Sequence, residues 1–303
     1  MITTKVNNIL PFPIRPKVKR PVFNTRIASL GDAHGSLNWI ELSKRAERNS
    51  DKIIGLGDLI DRGVHNIDVL KRAQELNSSG RYTQLLGNHD LLFVNAALGD
   101  ELSLVNWIRN GGEKTLDEFR VNPLQKILSK MFGYTPKQSV MFMDFAYWIM
   151  ENAKLYHIDE HGALYTHAGL PINDEGVSTL EYSGIKGIKC LNKATDDLRN
   201  ALLQRNFGHE VFKFLQGNEN AFLWNTNWFE KLIKIDSANN LIDSLGINHL
   251  IFGHLPKRGV ISIDNKVFCI GGNIESESAS FIINGPKTIE IESLNGQRTV
   301  IEK

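Results

Sequence analysis

Disulfide chemistry is almost absent from this chain. Its 303 residues include two cysteines, Cys190 and Cys269, which excludes a disulfide framework and leaves a reducing compartment open. A chain this long buries a sizeable core without such staples. Proline (9) and glycine (25) occur at ordinary levels, so collagen-like and low-complexity structure are excluded. No apolar run reaches the roughly 18–20 residues that would cross a bilayer. Acid is missing from the first 31 residues, which hold six bases, so the net charge of +1 leaves −5 on the other 272. Nucleic-acid binding is not expected, because a basic stripe would then run through the folded body. The leader also lacks the apolar stretch of a secretory signal, and a cytoplasmic location is expected. Between Pro11 and Pro21 each proline pushes its predecessor out of the helical region, so residues 1–22 are expected to form an extended basic arm over the domain surface.

From residue 25 onward, short apolar strands alternate with amphipathic helices, the pattern of an α/β or α+β domain. Strands are expected at 25–30, 52–56 and 82–86, with helices at 36–49 and 66–76. Residues 91–151 read as helical and rich in large apolar side chains. In that stretch Phe142, Phe145 and Trp148 recur every three residues, which marks a core face. A hairpin is expected at 155–166 and a mostly helical stretch at 190–245. The tail returns to strands at 249–252, 260–263, 267–270, 280–283 and 288–293.

Four of these strands end in Gly followed at once by a metal-type ligand. They are Ala28-Ser-Leu-Gly-Asp32-Ala-His34, Ile54-Gly-Leu-Gly-Asp58, Leu85-Leu-Gly-Asn88-His89-Asp90 and Ile251-Phe-Gly-His254, with Tyr165-Thr-His167-Ala-Gly169 a variant. Open α/β sheets bind ligands beyond the carboxyl ends of their strands, and glycine lets the backbone turn there without a Cβ clash. Asp32, His34, Asp58, Asn88, His167 and His254 supply three imidazoles, two carboxylates and an amide. That set suits first-row divalent metals better than calcium or structural zinc. Six ligands exceed one tetrahedral site, whereas two ions sharing the Asp58 carboxylate need about this number, and such pairs serve in-line phosphoryl displacement. Arg62, four residues on, can grip phosphate as a bidentate fork. Ligands from 32 to 254 must converge, so residues 23–303 are expected to form a single catalytic domain with a helical insertion at about 91–151. His65, His157, His161, His209 and His249 read as structural or exposed, with His65 nearest the pocket. Glu275 and Glu277 read as a solvated loop beside a rim of Gly271-Gly272-Asn273.

The ordered set Gly31-Asp-Ala-His-Gly35, Gly57-Asp-Leu-Ile-Asp-Arg-Gly63, Gly87-Asn-His-Asp90, His167-Ala-Gly169 and Gly253-His254 resembles the signature of calcineurin-like metallophosphoesterases. The phosphoprotein phosphatase branch, in its bacterial form, is the nearest in pattern. The resemblance spans about residues 25–273. It implies a four-layer αββα sandwich with two central mixed β-sheets flanked by helices. It also implies that Asp32 and His34 bind one divalent ion, that Asp58 bridges, and that Asn88, His167 and His254 bind the second. Mn²⁺ is the expected metal, and Fe or Zn would suit the same ligands. A bridging hydroxide would attack phosphorus in line while Arg62 and Asn88 hold the phosphate. His89, oriented by Asp61, would protonate the leaving oxygen.

Several positions depart from that pattern. Asp90 stands where protein phosphatases carry Glu, and His167-Ala-Gly169 replaces His-Gly-Gly. Both resemble bacterial and dinucleotide-cleaving members, and Asn110-Gly-Gly-Glu-Lys-Thr115 resembles a segment found in bacterial members. Gly253-His-Leu-Pro256 argues against cyclic-nucleotide phosphodiesterases. Leu223-Trp-Asn-Thr-Asn227 lacks the second phosphate-gripping arginine of small bacterial phosphatases, and Arg258 is the candidate substitute. The expected substrate is a phosphorylated protein or peptide, on Ser/Thr or Tyr, with a dinucleoside polyphosphate such as diadenosine tetraphosphate as the alternative. A binding module that keeps its metals but has lost its chemistry is the alternative from another class. No regulatory partner is legible.

Overall fold

A computed structural model describes residues 24–121, 137–217, 221–235 and 237–303. The expected arm at 1–22 and part of the expected insertion therefore lie outside the described residues. The fold starts with β1 (Ile27–Leu30), α1 (Leu37–Asn49), β2 (Lys52–Gly55), α2 (Asn66–Ser78) and β3 (Tyr82–Gln84). Ser36 starts α1 as expected, its hydroxyl accepting from the Asn38 amide at 3.2 Å, and Trp39, Leu42 and Ala46 form the buried face. A helical stretch follows: α3 (Asn88–Leu98), α4 (Glu101–Trp107), a π-helical turn (Ile108–Gly112), α5 (Glu113–Glu118) and α6 (Lys137–Asn152). Every residue of α3 is buried, which is why its sequence shows no polar face.

The hairpin of β4 (Tyr156–Ile158) and β5 (Ala163–Thr166) comes next, then the two-residue strands β6 (Glu181–Tyr182) and β7 (Ile185–Lys186). Four helices occupy the stretch expected to be helical: α7 (Lys189–Leu203), α8 (Glu210–Gln216), α9 (Asn227–Ile235) and α10 (Asn239–Leu245). The tail is β8 (His249–Phe252), β9 (Val260–Ile263), β10 (Val267–Ile270), β11 (Ser280–Asn284), β12 (Thr288–Ser293) and β13 (Arg298–Glu302).

These strands form two large mixed sheets, ordered β13-β12-β11-β1-β2-β3 and β4-β5-β8-β10-β9. In the first, β1, β2 and β3 run parallel and β11 joins β1 antiparallel. In the second, β5, β8 and β10 are parallel and the edge strands β4 and β9 are antiparallel. Strand residues alternate between two separate cores. Ile27, Ile54, Tyr165, Ile251, Phe268 and Ile282 belong to one apolar cluster shared by both sheets. Their neighbours Ala28, Ile53, Leu164, Leu250, Val267 and Phe281 belong to a second, which includes the helices. Side chains one residue apart on a strand point to opposite faces, so this alternation builds a sheet-on-sheet interior with helices outside. The expected αββα sandwich is thereby met. The loops after β1, β2, β3, β5 and β8 gather at one end of it.

Candidate metal centre

Those five loops bring the six predicted ligands together. Asp58 Oδ2 lies 3.8 Å from His34 Nε2 and 3.5 Å from His167 Nε2, and His34 Nε2 is 3.8 Å from Asp32 Oδ2. His167 Nε2 lies 2.8 Å from Asn88 Oδ1. Two sets of ligand atoms, from His34, Asp58 and His89 and from Asp58, His167 and His254, each fall within 4.8 Å of one another. Asp58 belongs to both, as a shared carboxylate must. His89, read from sequence as the proton donor, is close enough to join the first set.

The surroundings fit cations. The Nδ1 atoms of His34 and His167 bond to the carbonyls of Ile60 (3.0 Å) and Leu56 (2.8 Å), which turns each Nε2 lone pair inward. Burial holds His34 and His254 near pKa 3, so both imidazoles are neutral at physiological pH. Burial raises Asp32 to about 6, and its Oδ2 is buried with no hydrogen-bond partner. Burial works to raise Asp58 as well, but the imidazoles of His167, His89, His34 and His254 together hold it well below the usual range. A carboxylate oxygen without a partner and inward lone pairs are the groups that divalent ions satisfy.

Holding the loops in place strains the backbone. Five site residues take positive φ: His34 (43°), Asp58 (52°), Asp61 (79°), Arg62 (66°) and His254 (67°). Such conformations cost about 1–3 kcal/mol each and persist only where neighbours enforce them. Asp90 is one enforcer: its buried carboxylate accepts from the amides of Asp58 (2.9 Å), Leu59 (3.0 Å) and Gly87 (3.0 Å), clamping the second loop to the third. Gly87 is required for close approach, since a Cβ there would overlap the Asp58 carboxylate.

Asp61 and Arg62 stand beside this cluster. The Asp61 carboxylate accepts from His89 Nδ1 at 2.7 Å, Trp107 Nε1 at 2.8 Å and the Thr115 hydroxyl at 2.7 Å. Burial opposes a charge on His89, but Asp58 and the bonded Asp61 outweigh it and raise its pKa. Arg62 donates from Nη1 to His34 Nε2 (3.0 Å) and from Nη2 to His89 Nε2 (3.1 Å). Its stem packs on Gly111, which takes φ 105° in the π turn; a Cβ there would sit 3.1 Å from Arg62 Cγ. The Asn110-Gly-Gly-Glu-Lys-Thr115 segment thus seats both Arg62 and Asp61. Trp107 and Thr115 as holders of Asp61 had escaped the sequence reading, because nothing local relates residue 61 to residues 107 and 115.

Two cavities open at the centre, of about 700 and 730 Å³, and both are lined by Arg62 and Pro256. The first also meets His34, His65, Gly272, Asn273 and Glu275. The second meets His254, Trp224, Thr226 and Lys213, and the Trp224 ring lies 6.4 Å from that of His89. His65 overlooks the pocket as expected, and Gly272 and Asn273 lie on its rim. Arg258 is exposed and lines neither cavity.

Two buried candidate ligand groups sharing a carboxylate, with a guanidinium and an imidazole beside them, fit a metal-dependent hydrolase of phosphate esters. The chain belongs to the calcineurin-like phosphoesterases, whose family model matches residues 25–258. Among solved structures it is similar to a cold-active protein-tyrosine phosphatase from a psychrophilic Shewanella, at 18% identity, with TM-score 0.60, covering 92% of this chain and 81% of that one. It is also similar to a protein serine/threonine phosphatase from Saccharomyces cerevisiae, at 12% identity, TM-score 0.47, covering 87% and 74%. No curated protein matches the chain.

Proposed function

We propose that this protein is a dinuclear metal-dependent phosphomonoesterase acting on phosphorylated protein side chains. The observation that carries the reading is two candidate ligand sets that share Asp58, with Arg62 bonded to His34 and His89 beside them on the wall of two open cavities. Two divalent ions, with Mn²⁺ favoured, would be held by Asp32, His34, Asp58, Asn88, His167 and His254, and when bound they supply Lewis acidity and an activated water. The chain's own residues do the rest. Arg62 lines both cavities with its two Nη groups beside His34 and His89, and would grip phosphoryl oxygens as a fork. Asp61 fixes the tautomer of His89 and favours its charged form, which suits it to protonate the leaving oxygen. The Leu223–Asn227 segment supplies no second arginine, and Lys213 is a base that lines the same cavity.

The protein-tyrosine phosphatase activity named for the Shewanella relative supports the phosphoprotein reading. The aromatic side chains of Trp224, Phe207 and Phe212 in the second cavity favour one competing substrate, a dinucleoside polyphosphate. Asp58→Asn and His89→Asn are each expected to abolish hydrolysis of a chromogenic aryl phosphate in Mn²⁺ while circular dichroism shows a folded chain. Near-normal turnover by either variant would sink the proposal. Comparing phosphopeptides with diadenosine tetraphosphate at equal metal decides between the substrates. Two bound metals by elemental analysis without turnover of any phosphoester would mark a binding module instead.

A further inference from the structure

The outer edge of the six-stranded sheet is open. Its order ends at β13, and among the described residues no strand pairs with the far side of that strand. Four of the five residues of β13 are exposed, Val300 at its middle by 54%. A free edge is a template for another strand, and proteins that keep one unpaired usually blunt it with proline, a bulge or charged side chains. β13, Arg298-Thr-Val-Ile-Glu302, has no proline and pairs with β12 residue for residue, without a bulge. Its two charges are of opposite sign.

Hydrogen bonds at both ends of the β12–β13 ladder fix which backbone groups face outward. The Ser293 amide donates to the Gln297 carbonyl at 2.9 Å, and the Lys303 amide donates to the Lys287 carbonyl at 3.0 Å. Antiparallel strands bond at every second residue, so positions 297, 299, 301 and 303 turn their amides and carbonyls toward β12. Arg298, Val300 and Glu302 therefore turn theirs to the open edge. Their side chains also share one face, opposite Ile301, which packs against the inter-sheet core.

Along that face a base, an apolar residue and an acid follow at equal spacing. If a second copy of the strand lies antiparallel, centred on Val300, each Arg298 faces a Glu302 and the two Val300 side chains face each other. All three positions then meet as hydrogen-bonded pairs, as their outward groups require. Parallel pairing in register would set Arg298 against Arg298, and a shift of two residues would lose both charge pairs. The Glu302 carboxylate has no partner among the described residues, whereas Arg298 shares Glu290 with Arg26 and stays 54% exposed. Opposite charges facing each other across a strand pair stabilise it, and like charges destabilise it. We infer that β13 is a self-pairing edge, through which two copies of this chain join their six-stranded sheets about a two-fold axis at Val300. Five residues a side fall short of the roughly 20–30 of a stable interface, so association is weak, with a dissociation constant of about 10–100 µM.

Sedimentation velocity of the purified full chain from about 5 to 500 µM should show the average mass rising toward that of a dimer. Arg298→Glu and Glu302→Arg should each raise the dissociation constant about tenfold or more, because each sets like charges face to face. An equimolar mixture of these two variants should regain the dimer, since the acidic edge of one faces the basic edge of the other. A merely structural role of either side chain would give no such rescue. Val300→Pro removes an outward amide without touching a bond to β12, and should also abolish association. Circular dichroism and the urea midpoint check that each variant is folded. A wild-type chain that stays monomeric over the whole range overturns the inference, and so does a dimer indifferent to Val300→Pro and to both charge reversals. In the monomeric case, slow hydrogen exchange at the amides of Arg298, Val300 and Glu302 would show that the chain's own residues cover the edge instead.

Discussion

At the scale of single residues, function depends on side chains that hold other side chains. Asp61 does not reach the ligand cluster itself; it orients His89, and is oriented in turn by Trp107 and Thr115. Trp107→Phe keeps the ring packing against Phe93 and Phe142 but removes the N–H donor. Losses of outer-shell partners commonly cost about 10–100-fold, so kcat should fall by about that much with KM little changed. Steady-state kinetics on an aryl phosphate checks this, and an unaltered kcat would mean that His89 needs no such support. Arg62→Ala is expected to cost about 10²-fold or more in kcat/KM, the scale for removing a transition-state donor. The pairing of Asp61 with His89 was legible in the sequence, but the hold of Trp107 and Thr115 on Asp61 was not. Gly-Asp and Asn-His-Asp spacings announce ligands, whereas the indole that bonds Asp61 is 46 residues away.

At the scale of elements, short apolar runs marked the strands because most are buried on both faces, and where that signal failed the elements are short or exposed. β13 had no expectation because four of its five residues are exposed and its role is to extend an edge. β6 and β7, two residues each, are too short to show any period. By contrast, Phe268 in β10 sits fully buried between the sheets, and Phe268→Ala should destabilise the fold by about 3–5 kcal/mol. Urea denaturation measures it; a loss below about 1 kcal/mol would mean that the inter-sheet core closes over the void. The clamp made by Asp90 acts between elements too. Asp90→Ala would leave the amides of Asp58, Leu59 and Gly87 without their acceptor, and is expected to weaken metal binding as well as stability, since those amides fix the loop carrying Asp58. Metal titration followed by the unfolding midpoint would register both effects.

At the scale of the whole molecule, the buried acids Asp32 and Asp58 lie at the meeting point of both sheets' loops, in a body of net charge −5 outside its first 31 residues. Cations held there stabilise the folded state by mass action, because the unfolded chain has no preformed site. Chelation should therefore abolish turnover and also lower the thermal midpoint, with both restored by added Mn²⁺; a midpoint indifferent to chelator would count against a buried dinuclear centre. The sequence by itself determined the chemistry: the ligand types, their order after five strands and the Gly-containing turns that carry them. These are local properties, written in neighbouring residues and readable as spacing. Only the tertiary structure decided what surrounds that chemistry. It seats Asp61 through Trp107 and Thr115 and backs Arg62 with Gly111. The two bonds to Asp61 join residues 46 and 54 positions apart, and chain folding, not spacing, brings them within hydrogen-bond reach.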